Sequence, residues 1–250
     1  EFEENFAHHF RVIDALAVSS GTAAIRVALA SLGVGEGDEV ITQSFTFVAT
    51  VEAIVESGAT PVITEINQTL NMDPDDLRRK ITSKTKAIIP VHMLGTPAAM
   101  DQVLEIAAEF SIPVVEDTAW GCGGTLGGQY LGTLGDVGCF SFDFAKTITT
   151  GEGGMVVAKN QTTLEKAKAW HDHGHENNPS VPRWEDTRTS SGFNFRMSEL
   201  QGAVGIAQLD VHEIHERKQK RQDGEDRERK PRAHENHIAH DAEQHEEVGD

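Results

Sequence analysis

Short apolar runs alternate with amphipathic stretches along most of this chain. Apolar positions recur at helical spacing through Ile25, Ala28, Leu29 and Leu32, after Ser19-Ser20-Gly21-Thr22 and before a closing Gly33. Residues 39–42 read as a short strand and residues 47–55 as a helix ending at Gly58. Residues 61–66 follow as a strand, and Asp73-Pro74 opens a helix to Ile81 with proline at its first position. The uniformly apolar run 87–91 predicts a strand buried on both faces. Residues 100–110 predict a helix that turns Val103, Leu104, Ile106 and Ala107 inward. Pro113-Val114-Val115 is another buried strand running into Glu116-Asp117, and residues 137–142 and 155–158 add two more. A helix passes through Ala167–Trp170, and a long one begins at Met197. This alternation predicts an α/β fold, a mainly parallel sheet with helices on both faces. Ligands of such sheets sit on the loops beyond the carboxyl ends of the strands.

The pattern stops near Arg217. From there to Asp250 the only large aliphatic residues are Ile238 and Val248, no Phe, Trp or Tyr occurs, and ten acids face eight bases. So little apolar surface cannot offset the entropy of ordering the backbone. The expected organisation is one domain over residues 1–216 and a polar tail over 217–250, a helix extension that frays into disorder.

Charge and cysteine content narrow the class of function. Lys+Arg 22 against Asp+Glu 40 gives a net charge of −18, which argues against nucleic acid or an anionic membrane as partner. No apolar stretch approaches the roughly 20 residues that span a bilayer, and the acidic start Glu1-Phe2-Glu3-Glu4 has no signal-peptide character. Cys122 and Cys139 are too few for a disulfide scaffold, so a cytoplasmic protein is expected.

Three loops after strands carry candidate chemistry. Ser20-Gly21-Thr22 precedes a helix and reads either as an ordinary N-cap or as a phosphate site built on free N–H groups. Asp117 ends a buried strand, where it is a solvated carboxylate, a metal ligand, a base or the partner of a cationic ring nitrogen. Gly121, Gly123, Gly124, Gly127 and Gly128 fail as a dinucleotide fingerprint, because Leu126 stands where the third glycine belongs and no helix follows; they read as a flexible turn. Lys146, among apolar residues between a strand and the turn Thr150-Gly151-Glu152-Gly153-Gly154, either snorkels to solvent or is a desolvated amine suited to Schiff-base chemistry. A phosphate cradle, a strand-end acid and a desolvated lysine together match what pyridoxal phosphate requires.

The chain resembles the DegT/DnrJ/EryC1/StrS family of pyridoxal-phosphate-dependent sugar aminotransferases of fold type I. The resemblance rests on Ser20-Gly21-Thr22-Ala23-Ala24, Gly37-Asp38-Glu39-Val40-Ile41, Thr46-Phe47-Val48-Ala49-Thr50, Glu116-Asp117, Ser141-Phe142 with Lys146, Thr150-Gly151-Glu152-Gly153-Gly154, and Gly192-Phe193-Asn194-Phe195-Arg196-Met197. It implies that Lys146 is the Schiff-base lysine and Asp117 the pyridinium partner. Gly21, Thr22 and Ser141 would bind the cofactor phosphate, and Phe47 would stack on its ring. Asn194 would reach the phosphate of a neighbouring subunit in a homodimer. Lysine rather than histidine at 146 implies transamination rather than dehydration, from an amino acid donor, glutamate, to a keto or aldehyde sugar. Trp120 stands where many relatives carry Gln or His. With 171–179 and 182–188 it resembles the branch that makes 8-amino-3,8-dideoxy-D-manno-octulosonate for lipopolysaccharide.

Other readings stay beside these. His171, His173 and His175 alternate as metal ligands can on an extended segment, but Gly174 and Asn177-Asn178-Pro179 indicate a loop that contacts substrate or solvent, so no metal site is expected. His234, His237 and His240 fall in the tail, where adventitious metal binding is the most they suggest, and His92 reads as a satisfied supporting group. Relatives carry a smaller C-terminal domain after the long helix, so the chain looks truncated. The competing class is a catalytically silent remnant that binds cofactor or a partner chain without turnover.

Overall fold

The computed structural model describes residues 1–188 and 190–229. It divides into two units, Glu1–His212 and Glu213–Asp250. The predicted elements are present with small shifts of their ends. They are β1 (Ala15–Val18), α2 (Gly21–Ser31), β2 (Glu39–Gln43), α3 (Val48–Glu56), β3 (Thr60–Thr64), α4 (Pro74–Lys80), β4 (Thr85–Ile89), α5 (Met100–Phe110), β5 (Val115–Asp117), β8 (Val137–Ser141), β9 (Gly154–Ala158), α6 (Gln161–Trp170) and α7 (Glu199–Arg229), together with α1 (Phe2–Phe10) and the short strands β6 (Thr125–Leu126) and β7 (Gln129–Tyr130). Of these, α1, β1, β6 and β7 are not among the elements predicted from sequence. The second unit is described as helix to Arg229, with Arg217 Nη2 2.9 Å from Glu213 Oε2 one turn earlier. The expectations for residues 230–250, the three tail histidines included, lie outside the described residues.

Strands β3-β2-β4 form a parallel set and β1-β9-β8-β5 a mixed one, joined by parallel bridges Ile88–Val114 and Val91–Asp117. The order is therefore β3-β2-β4-β5-β8-β9-β1, in which β9 runs antiparallel to both of its neighbours. Pro61 is tolerated because β3 is an edge strand.

Successive strand residues enter opposite cores, which requires helices on both faces. Val40, Ile89, Val115 and Val156 pack with Ala24, Leu29, Ile54 and Leu164 of α2, α3 and α6. Ile41, Ile88 and Val114 pack with Leu77, Val103 and Ile106 of α4 and α5. Phe140, Met155 and Val157 pack with Phe2, Phe6 and Phe10 of α1. These three phenylalanines recur every fourth residue, so they form one stripe on α1; Phe6 stacks on Phe10 at 4.2 Å and meets Phe140 edge-on at 5.1 Å. Each buried ring contributes about 1.5–3 kcal/mol.

The glycine run is more ordered than a flexible turn. Gly127 (φ 59°) and Gly128 (φ 84°) form the two-residue turn of a hairpin between β6 and β7, a backbone that needs positive φ at both positions. No helix of the described residues is long and apolar enough to cross a membrane.

Candidate active site

One cavity of about 460 Å³ opens where the carboxyl ends of β5 and β8 meet the N-termini of α2 and α3. Gly21, Thr22, Phe47, Asp117, Ser141 and Lys146 all line it. The fold thus gathers six of the seven cofactor-binding positions named from sequence. Asn194 is exposed and does not line it; its side chain accepts the Arg196 N–H at 3.3 Å, and its backbone bridges to Asp172.

The α2 end of the cavity is a cradle. Ser20 caps the helix by accepting the Ala23 N–H at 3.1 Å, while Gly21 and Thr22 occupy the first turn, whose N–H groups lack partners within the helix. A Cβ at Gly21 would lie 2.7 Å from Ser141 Cβ, so only glycine lets the helix N-terminus approach the serine this closely.

Asp117 is 4% exposed. Burial pushes its carboxyl up, against hydrogen bonds from the Thr50 hydroxyl (2.8 Å) and the Ala119 N–H (3.1 Å). Phe47 is the N-cap of α3 and Thr50 lies in its first turn, so the start of that helix presents both to the cavity. Thr50 belongs to the Thr46-Phe47-Val48-Ala49-Thr50 motif but not to the site residues expected from it; its spacing of three from Phe47 is the signal in the sequence that marks it.

Lys146 lies in a turn fixed by its N–H to Asp143 O (3.0 Å) and by the Ala145 N–H to Asp143 Oδ1 (3.0 Å). Burial lowers its amine, against the pull of Asp143 and Asp117. Its Nζ sits 3.7 Å from the centroid of the Trp120 ring. An acid pushed up and an amine pushed down in one cavity form the pair of displaced groups that proton-transfer sites use.

Behind Asp117 lies a second carboxylate that sequence reasoning gave no role. Glu116 is fully buried and accepts from His92 Nε2 (2.8 Å) and from the N–H groups of Gly132 (2.9 Å), Leu134 (2.6 Å) and Gly135 (2.5 Å). His92 Nδ1 accepts the Ala98 N–H at 3.1 Å, leaving Nε2 as the donor to Glu116. His92 is the satisfied supporting group expected.

His171, Asp172, Gly174 and His175 are buried, whereas residues 176–180 and 182–185 form the exposed loop expected from Gly174 and Asn177-Asn178-Pro179. Asp172 is 3% exposed and binds Arg183 through both carboxylate oxygens (2.6 and 2.5 Å) as well as Arg196, and these charges hold its carboxyl far below the usual range. His175 donates from Nδ1 to Asp186 (3.1 Å) and accepts from Arg188 at Nε2 (3.1 Å), while His171 donates to Lys168 O and His173 is exposed. The three imidazoles therefore have separate surroundings.

The sequence profile of the DegT/DnrJ/EryC1/StrS aminotransferase family matches residues 1–242. The chain belongs to this family. Among its relatives, the GDP-perosamine synthase of Escherichia coli O157:H7 is 43% identical over 213 residues, covering 84% of this chain and 57% of that protein. The GDP-perosamine synthase of Caulobacter vibrioides is 40% identical over 211 residues, covering 84% and 56%. Among solved structures, the aminotransferase from Psychrobacter cryohalolentis superposes with a TM-score of 0.79 at 37% identity, covering 84% of this chain and 55% of that one. This chain spans just over half the length of the curated relatives it matches. The family's fold is the α/β arrangement described above.

Proposed function

We propose that this cavity binds pyridoxal 5'-phosphate and that the protein moves an amino group from an amino acid, glutamate, to a keto or aldehyde sugar. The observation that carries the reading is the convergence of Asp117 and Lys146 on the cavity that also holds the Gly21–Ser141 cradle. The residues fit the group. A dianionic phosphate suits a helix N-terminus flanked by the hydroxyls of Thr22 and Ser141, Phe47 offers an aromatic face, and Asp117 is a buried acid able to hold a proton on a ring nitrogen. When bound, the cofactor supplies an exchangeable carbonyl and an electron-accepting ring. Lys146 is the amine that would hold the cofactor and that, when not engaged, would take and return the proton at the donor's Cα. The exposed Asn194 serves the phosphate of a second copy in a homodimer.

Structures of related aminotransferases with the pyridoxal and pyridoxamine forms of the cofactor support the reading. The named synthases of GDP-perosamine support a sugar acceptor. The finer assignment is an octulosonate acceptor for lipopolysaccharide, made in the cytoplasm, supported by Trp120 and the 171–188 segment. A second reading is cofactor binding without turnover. It is favoured by the charge of the cavity lining, which among the described residues sets Asp117, Asp143 and Glu152 against the one amine of Lys146 and offers a substrate carboxylate no second cation.

Adding pyridoxal phosphate to the protein tests the reading: a visible absorption band is expected, and Lys146→Ala should lack it. Glutamate should then convert the band to that of the pyridoxamine form. A Lys146-dependent band that ignores glutamate selects the second reading, and no band overturns both. Supplying 8-oxo-octulosonate or a GDP-linked keto sugar to the pyridoxamine form shows which acceptor restores the original spectrum.

A further inference from the structure

The proposed function uses Trp120 only as a mark of the acceptor and gives its side chain no chemical role. Its backbone belongs to the turn after β5, its side chain is 40% exposed, and its ring lines the cavity with one face against Lys146 Nζ at 3.7 Å. At that distance the ring quadrupole attracts a cation directly, and the contact is closer than the roughly 6 Å at which such pairs count. The lysine needs a support. Its side chain has four rotatable bonds, and the bonds that define its turn fix only the backbone. The charged groups around it come from three places: Asp143 from its own turn, Asp117 from the end of β5, and Glu152 from the turn before β9. None of the three carboxylates forms an ion pair with Nζ within 4.0 Å among the described residues. Asp117 is instead committed to Thr50 and the Ala119 N–H. The indole face is thus the contact that sets where the amine rests.

We propose that Trp120 is a positioning residue whose indole face holds the free, protonated amine of Lys146 inside the cavity, above the end of β5. This rests on the reading of Lys146 as the reactive amine. An aromatic face attracts the ammonium and offers nothing comparable to the neutral amine. Trp120 therefore favours the protonated lysine whenever Lys146 is not covalently engaged, and it keeps the amine from turning to the carboxylates at the cavity mouth. An amide or imidazole in its place would hydrogen-bond the amine in either protonation state and lack this preference.

The test uses the cofactor-free protein. Lys146 is labelled with an amine-reactive acylating agent across a pH series and quantified by mass spectrometry. The plateau rate at high pH reports access, and the midpoint reports protonation. Trp120→Leu keeps an apolar side chain against the amine but removes the ring face, and Trp120→Phe keeps a weaker one. The midpoint should fall in the order wild type, Phe, Leu, so that labelling near neutral pH, normalised to the plateau, rises roughly three- to tenfold in Trp120→Leu. A protonated amine against the ring also quenches indole emission, so fluorescence should step up across the wild-type midpoint and Lys146→Met should remove the step. An unchanged or reversed midpoint order, or a step that persists in Lys146→Met, overturns the proposal. Circular dichroism of each variant separates these outcomes from misfolding. The cofactor reading fails separately, through absence of a Lys146-dependent visible band in wild-type protein.

Discussion

The Thr50 hydroxyl donates to Asp117 Oδ2 at 2.8 Å, tying helix α3 to the end of strand β5 inside the cavity. Thr50 also lies 2.9 Å from Thr46, so the hydroxyl can turn and accept instead of donate. Asparagine therefore fits at 117, its carbonyl receiving the Ala119 N–H and its amide donating to Thr50. Because burial raises the Asp117 carboxyl above its unfolded value, its stabilising contribution is full below the unfolded pKa and is lost as pH rises through the folded one. Asp117→Asn should thus raise the melting temperature of the cofactor-free protein at neutral pH, by about 2–4 °C if the gain is about 1 kcal/mol. It should also abolish amino transfer. Calorimetry and the glutamate-driven spectral change check the two halves.

Gly21→Ala places a methyl group 2.7 Å from Ser141 Cβ and 3.0 Å from its Oγ. Both atoms belong to the floor of the cradle, so the helix N-terminus must retreat from the position a phosphate would occupy. Affinity for pyridoxal phosphate, followed by absorbance titration, should fall at least about tenfold, since losing one charge-assisted hydrogen bond is worth about 1.5–3 kcal/mol. Unchanged affinity would place the phosphate elsewhere.

Glu116→Gln keeps the shape of the buried side chain but replaces one acceptor oxygen by a donor. Each oxygen of Glu116 now receives two donors, so either amide orientation leaves two N–H groups facing an NH₂. At about 1–3 kcal/mol for each unsatisfied group, urea unfolding should show a loss of about 2–6 kcal/mol. Because the same residue anchors the 132–135 loop next to β8, a loss below about 1 kcal/mol would mean that the loop repacks freely.

Asp172 makes the 171–196 region sensitive to acid only at very low pH. Its carboxyl is depressed in the folded state, so its contribution is fully present above the unfolded value of about 3.9 and is lost as pH falls through the much lower folded one. Asp172→Asn should cost about 1–3 kcal/mol at neutral pH, less than a fully buried pair, because Arg183 and Arg196 are half exposed. Faster amide hydrogen exchange in this region, and a flatter stability profile below pH 4, are the expected readouts.

The elements legible in the sequence were those with a strong local period. Helix α5, with Val103, Ile106 and Ala107 buried, and the buried runs of β4 and β8 appear where their patterns place them. Helix α1 escaped notice although Phe2, Phe6 and Phe10 recur at helical spacing, because nothing local says which partner the stripe meets. The glycines after Asp117 looked like a flexible turn because a glycine's positive φ becomes visible only once two strands close around it. Likewise, three alternating histidines carry no local mark of their separate surroundings, which Lys168, Asp186 and Arg188 assign from up to 13 residues away.

By itself the sequence determined the chemistry on offer: a capped helix start at Ser20-Gly21-Thr22, an acid at a strand end, one lysine amid apolar residues, and an alternation that can fold only as a helix-covered, mainly parallel sheet. These follow from local sterics, capping and hydrophobic period, all written within a few residues. Only the tertiary structure decided that Gly21 touches Ser141, that Thr50 reaches Asp117 across 67 residues, and that Lys146 rests on Trp120. Those contacts depend on the strand order β2-β4-β5-β8, which sets the loop ends side by side. Pairing between distant strands is fixed by how buried faces fit together, and that fit is a property of the whole fold rather than of any segment.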